Sequence, residues 1–136
     1  MPAAFGAAGK SLDTGSPVVV SYVYGEATAL DNAFFVAARA YRVHKITVRP
    51  LVVGSDGGGV TAEFRKAPSA TAPASGTILH SGSADLKGTI HTNQVLSLSA
   101  TTADLSLASG DSLCMDTTGT MTAARGVVSI ELLPLA

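Results

Sequence analysis

At 136 residues the chain is the size of one domain, long enough for a substantial core and too short for two. Its residues are 46% hydrophobic but only 5% aromatic and 14% charged, so Val and Leu do the burying while Ser, Thr, Gly and Asn carry the polar surface. The formal charge of −1 excludes a surface built to neutralise phosphates, no apolar run approaches the ~20 residues of a membrane-spanning helix, and the single cysteine, Cys114, has no internal disulfide partner.

Residues 1–16 are rich in Ala, Gly and Ser, with a lone Phe5. They lack the continuous apolar stretch of a signal peptide and read as an extended arm, ordered only where something else holds it. Residues 17–136 form the domain. Pro17 opens Val18–Tyr24, a β-branched and aromatic run of strand length. Phe34–Val36 is a short strand, and Thr28 to Ala40 has room for at most a turn or two of helix. A longer strand follows from Tyr41 to Val53, with Ile46 and Val48 on one face and Lys45, Thr47 and Arg49 on the other. Pro50 cannot donate to a ladder, so this strand lies at an edge or bends there. Ser55–Gly59 reads as a hairpin loop, its glycines supplying positive φ, and the returning strand turns Val60, Ala62 and Phe64 inward.

Ala67–Ser75 holds two prolines and is a surface loop. Thr77–Ser81, Asp85–Ile90 and Gln94–Ser99 are strand-like pieces, the last with Leu96 and Leu98 as its apolar face. Leu105 and Leu107 precede a turn at Gly110-Asp111, and Leu113 and Met115 follow it, with Cys114 between them as a small core residue. The final strand turns Val128, Ile130 and Leu132 inward and ends at Pro134. About eight to ten short strands with this spacing, and no internal repeat, predict a single antiparallel β-sandwich of jelly-roll type.

The motifs that look like chemistry each lack the context that chemistry needs. Asp13-Thr-Gly has the sequence of an aspartic-protease loop, but Gly9-Lys-Ser precedes it where a buried strand is required. Ala4–Ser11 satisfies the loosest phosphate-loop pattern with neither the strand before it nor the helix after it. His80, Asp85 and His91 lack metal-ligand spacing, as does His44. Ser81 and Ser112 lack the strand-turn-helix elbow of an activated nucleophile. No catalytic residue, metal or cofactor is expected. Arg39, Arg42, Lys45 and Arg49 hold four of the nine basic residues. Strict alternation puts Arg39, Lys45 and Arg49 on one face and Arg42 on the other, either as a solvated surface or as a docking patch for an acidic protein.

Phe64-Arg-Lys-Ala-Pro68, Ser75-Gly-Thr77, Asp85-Leu-Lys-Gly-Thr89, the Leu105–Leu113 element, Thr118-Gly-Thr120 and Gly126-Val-Val128 together resemble the capsid cement (decoration) proteins of tailed bacteriophages. The resemblance spans about residues 41–134 and rests on turn and strand signatures rather than an active site. It implies a non-enzymatic jelly-roll homodimer, made in the host cytoplasm. Such a subunit sits on the outer surface of an icosahedral head and clamps neighbouring major capsid proteins, without touching nucleic acid or membrane. Contacts are expected from Phe5 and Leu12 on the arm, from Arg42 and Arg49, and from Leu133 and Leu135 in the C-terminal tail. The alternative is a carbohydrate- or ligand-binding sandwich of a fibre or receptor-binding tip, with Tyr22, Tyr24 and Tyr41 as stacking candidates.

Overall fold

The computed structural model describes residues 16–25, 29–55 and 57–135. The strands are β1 (Val18–Gly25), β2 (Asp31–Val36), β3 (Tyr41–Val53), β4 (Thr61–Ala67), β5 (Thr77–Ile78), β6 (Ala84–Asp85), β7 (Gln94–Val95), β8 (Ser106–Leu107), β9 (Ser112–Thr118) and β10 (Ala124–Pro134). Sheet I runs β1-β10-β3-β7, with β8 also on β3; sheet II runs β2-β9-β4-β5, with β6 also on β4. Every pairing is antiparallel.

The pairing order explains the shape. β1 pairs with β10 and β2 with β9, β3 with β7 and β8, and β4 with β5 and β6. A long antiparallel ribbon has been rolled up so that successive pairs fall alternately in the two sheets. This is a jelly roll. Alternating side chains then meet in one interior: Tyr24, Val43, Ile46, Val48, Val128, Ile130 and Leu132 come from sheet I. Ala62, Phe64, Leu113 and Met115 come from sheet II, and Leu79, Leu86 and Met121 from the connections. A core so poor in aromatics relies on many Val and Leu contacts, each fully buried one contributing about 1.5–3 kcal/mol relative to exposure.

Several expectations are corrected by non-local pairing. The expected strand at Phe34–Val36 extends back to Asp31 as β2, and residues 29–40 hold no helical turn. β2 is recruited by β9, with a register shift that leaves Phe34 unpaired between Ala33↔Cys114 and Phe35↔Leu113. The 55–59 loop is not a hairpin, because β3 and β4 belong to different sheets and the loop crosses the sandwich. Positive φ falls on Gly54 ahead of it (84°) rather than on Gly58 or Gly59. The Gly110 turn (φ 95°) likewise joins β8 in sheet I to β9 in sheet II. It is stitched to Ala37 by two backbone hydrogen bonds and closed by Asp111 Oδ2 accepting from Ala108 N at 2.9 Å. Of the two alternatives for Pro50, an edge or a bend, the edge is ruled out on the side where β10 flanks β3 along its length, and Pro50 sits beside a bulge, with Leu51 skipped between Pro50↔Gly126 and Val52↔Arg125. The strand-like pieces between 77 and 99 shrink to two-residue strands and a His80↔Leu98 bridge.

Candidate functional site

β3 and β10 form the middle of sheet I, and what they turn outward decides what the molecule offers to a partner. Strict alternation would put Arg42 on the core side, opposite Lys45 and Arg49. The structure reverses this. Leu132 pairs with Val43 and Glu131 with Lys45, so His44 is an extra residue in β3. Before the bulge Tyr41 and Val43 are buried; after it Ile46 and Val48 are. Arg42, Lys45, Thr47 and Arg49 therefore share the outer face.

In-register neighbours fill in the rest of that face. One row reads Val19, Glu131, Lys45; the next Ser21, Ser129, Thr47, Val95; a third Val23, Val127, Arg49. Leu133 lies opposite Arg42 and Arg125 opposite Gly25. Val19, Val23 and Val95 are 59%, 70% and 58% exposed, unusual for Val. Between them Thr47, Arg49, Asn93, Val127 and Ser129 line a shallow depression of about 310 Å³. Arg49 Nε donates to Asn93 Oδ1 at 2.7 Å, and both side chains line the depression. The side chains of Arg42, Lys45 and Arg125 form no hydrogen bond or ion pair among the described residues. The result is an open surface of small and apolar side chains rimmed by four cations and one carboxylate.

Of the residues expected to make contacts, Arg42, Arg49 and Leu133 are brought together here. Leu135 lies past the end of β10, half-buried, its N–H donated to Ala40 O and its carbonyl accepting from Arg39 Nη2 at 3.2 Å. Arg39 is thus a clasp for the C-terminal strand rather than a member of the basic face. Phe5 and Leu12 lie outside the described residues, as do the Asp13-Thr-Gly and Ala4–Ser11 motifs. Val19, Val23, Val95 and Arg125 were missed from the sequence. The available signal was β1 itself, whose Val-Val-Val-Ser-Tyr-Val run is apolar at both alternating sets of positions.

The outer face of sheet II is built differently. The turn Pro73–Ser75 packs against β2, β4 and β9. Arg65 donates to Glu63 Oε1 at 2.6 Å and to Gly76 O at 3.0 Å, and its Nε lies 3.6 Å from Asp116 Oδ2. Asp31, Asp116 and Glu63 are in register across three strands. Burial pushes the Asp116 carboxyl above its usual value; Arg65 opposes that rise, and Asp31 and Glu63 add to it. Cys114, expected in the core, is buried on this outward side of β9, in register with Ala33 and Arg65. Burial raises its pKa, with the Ser112 hydroxyl 3.3 Å away.

The remaining chemistry-bearing residues are held in local hydrogen bonds or face solvent. His80 is buried, its Nε2 accepting from Phe64 N at 2.9 Å while Nδ1 lies 3.3 Å from Ser81 O, which fixes the neutral Nδ1–H tautomer. Burial lowers its pKa. His44, Asp85 and His91 are exposed. Among the described residues no group of three or more His, Cys, Asp or Glu side chains is placed to hold a metal ion. Ser81 Oγ and Ser112 Oγ donate to the carbonyls of Ser97 and Ala67. Tyr24 and Tyr41 are buried, and Tyr22 stacks on Phe34 at 4.9 Å between ring centroids. Among the described residues no helix is long and apolar enough to cross a membrane.

No protein-family model matches the chain, and no curated protein sequence does. Among solved structures the chain is similar to one described under "Bacillus endospore appendages form a novel family of disulfide-linked pili", at 17% identity and a TM-score of 0.34. That match covers 89% of this chain and 88% of the other.

Proposed function

We propose that the chain is a structural virion subunit of the cement type. It binds the outer surface of an icosahedral phage head through the open face of sheet I, clamps neighbouring major capsid proteins and stabilises the shell. The observation that carries this reading is the composition of that face: Arg42, Lys45, Arg49 and Arg125 ring an exposed Val and Ser/Thr surface laid on two long central strands. Cations left without carboxylate partners steer the subunit toward an acidic shell surface and set its orientation, while the apolar centre supplies contact area once docked. Repeated weak contacts to a repeated shell gain strength through effective concentration without any one tight interface.

Co-sedimentation with purified empty heads tests it. The wild-type protein is expected to pellet with heads at low salt and progressively less as ionic strength rises. Charge reversal at Arg42 and Arg49 together is expected to abolish pelleting without altering the melting temperature. Failure of the wild-type protein to pellet, or undiminished pelleting of the reversed variant, would defeat the proposal. The carbohydrate alternative loses its main support, because its three stacking candidates are committed to the core or to Phe34.

A further inference from the structure

The margin of sheet I carries a second interaction surface. β1 pairs with β10 on one side and has no partner strand on the other among the described residues. Alternate residues of Val18–Gly25 therefore turn their N–H and C=O groups outward. Exposed edges are normally blunted by charge, proline, a bulge or short length. β1 uses none of these. It is eight residues long, contains no charged residue and no proline, and its register with β10 runs from Val18↔Leu132 to Gly25↔Arg125 without a shift. The Tyr22–Phe34 stack fills the gap between the sheets on this side, and Val19 and Val23 stand exposed on either side of Ser21.

We infer that two copies of this chain pair β1 against β1, antiparallel, about a two-fold axis centred on Ser21. Directly opposed residues in an antiparallel pair share a face, and this centre satisfies that condition along the whole strand. On the outer face Val19 meets Val23 of the partner subunit; on the inner face Val20 meets Tyr22 of the partner subunit. These are β-branched and aromatic cross-strand pairs, the favourable kind, and with no charge on β1 there is no like-charge opposition to overcome. A second copy fits the edge better than the chain's own first fifteen residues, MPAAFGAAGKSLDTG, which have Thr14 as their one β-branched residue and are dominated by Ala and Gly. Pairing in this way joins two outer faces of sheet I into one continuous surface. The resemblance implies a homodimer; the edge of β1 gives that dimer an interface, and the inference stands apart from head binding, since it is read without a shell.

Sedimentation velocity and disulfide trapping on the full-length chain test it. The wild-type mass is expected to double as concentration rises, and Val23→Lys to weaken dimerisation at least tenfold. Ser21→Cys is expected to give a disulfide-linked dimer, because opposed Cα atoms lie about 4.5–5.5 Å apart, within disulfide reach. Val23→Cys is expected to give none, its two copies being roughly 13–14 Å apart along the strands. The native Cys114 is buried and does not compete. A wild-type chain that stays monomeric at every concentration overturns the inference. So does a dimer that is not trapped by Ser21→Cys, a readout that holds even if Val23→Lys were to disturb folding.

Discussion

On the outer face of sheet II, Arg65 is clamped by Glu63, Asp116 and the Gly76 carbonyl beside a loop that packs against the sheet. On the outer face of sheet I, Arg42, Lys45 and Arg125 have no such partners among the described residues, and the Val side chains between them face solvent. Both faces belong to the same jelly roll and alternate with the same interior. The difference is that one face pairs its charges internally and the other leaves its cations without carboxylate partners among the described residues. A guanidinium with fixed acceptors adds to stability and is unavailable for recognition; one without them contributes little to folding and retains its field for binding.

Four substitutions sharpen or break this contrast. The upper bound comes from the shared interior. A Cβ at Gly126 would overlap the Tyr24 hydroxyl and ring and approach the Arg49 carbonyl at 2.7 Å, so the sheet must move to admit it. Gly126→Ala is expected to cost about 3 kcal/mol in denaturant melts, at the upper end of overpacking effects. Little or no loss would show that the Tyr24 ring relocates freely. This would be notable for a phenol that burial drives up to about 12.

Arg65→Ala comes next, at about 2 kcal/mol, because it leaves Glu63, Asp116 and Asp31 crowded without their cation. An effect within experimental error would dissolve the distinction between the two faces. His80→Gln is smaller, about 1 kcal/mol, since the Gln carbonyl can still accept the Phe64 N–H. Its signature lies in the pH dependence. A buried neutral His with a lowered pKa makes the unfolded chain bind more protons as pH falls below about 6.5, so wild-type stability declines there and the variant loses that slope. Urea melts between pH 7 and pH 5 would show it, and an unchanged slope would remove His80 from the account. Arg49→Gln is the smallest, within about 0.5 kcal/mol, as for an exposed position outside a network. A loss comparable to Arg65→Ala would mean that its bond to Asn93 is structural and that the open face is less free than its geometry indicates.

Much of the fold was legible. The β1 and β3 runs, the inward sets Ile46/Val48, Val60/Ala62/Phe64 and Val128/Ile130/Leu132, and the jelly-roll class all follow from residue type and a period of two. β2 was only half read, because its partner β9 lies some eighty residues away. The outer face of sheet I was less legible. Arg42 was assigned to the wrong side because a bulge at His44 shifts the alternation by one, and nothing in the local sequence marks that insertion. Arg39 reads from sequence as a member of the basic cluster, but its guanidinium donates to the Leu135 carbonyl, a contact from nearly a hundred residues away.

The sequence by itself determined which residues are extended and which side of each strand is apolar, because side-chain alternation and turn chemistry act within a few residues. Tertiary structure decided which strands became neighbours, where the register slipped and, among the described residues, which face and which edge have nothing packed on them. Those outcomes depend on contacts between segments far apart in the chain. A one-residue slip in such a pairing turns a side chain from core to solvent.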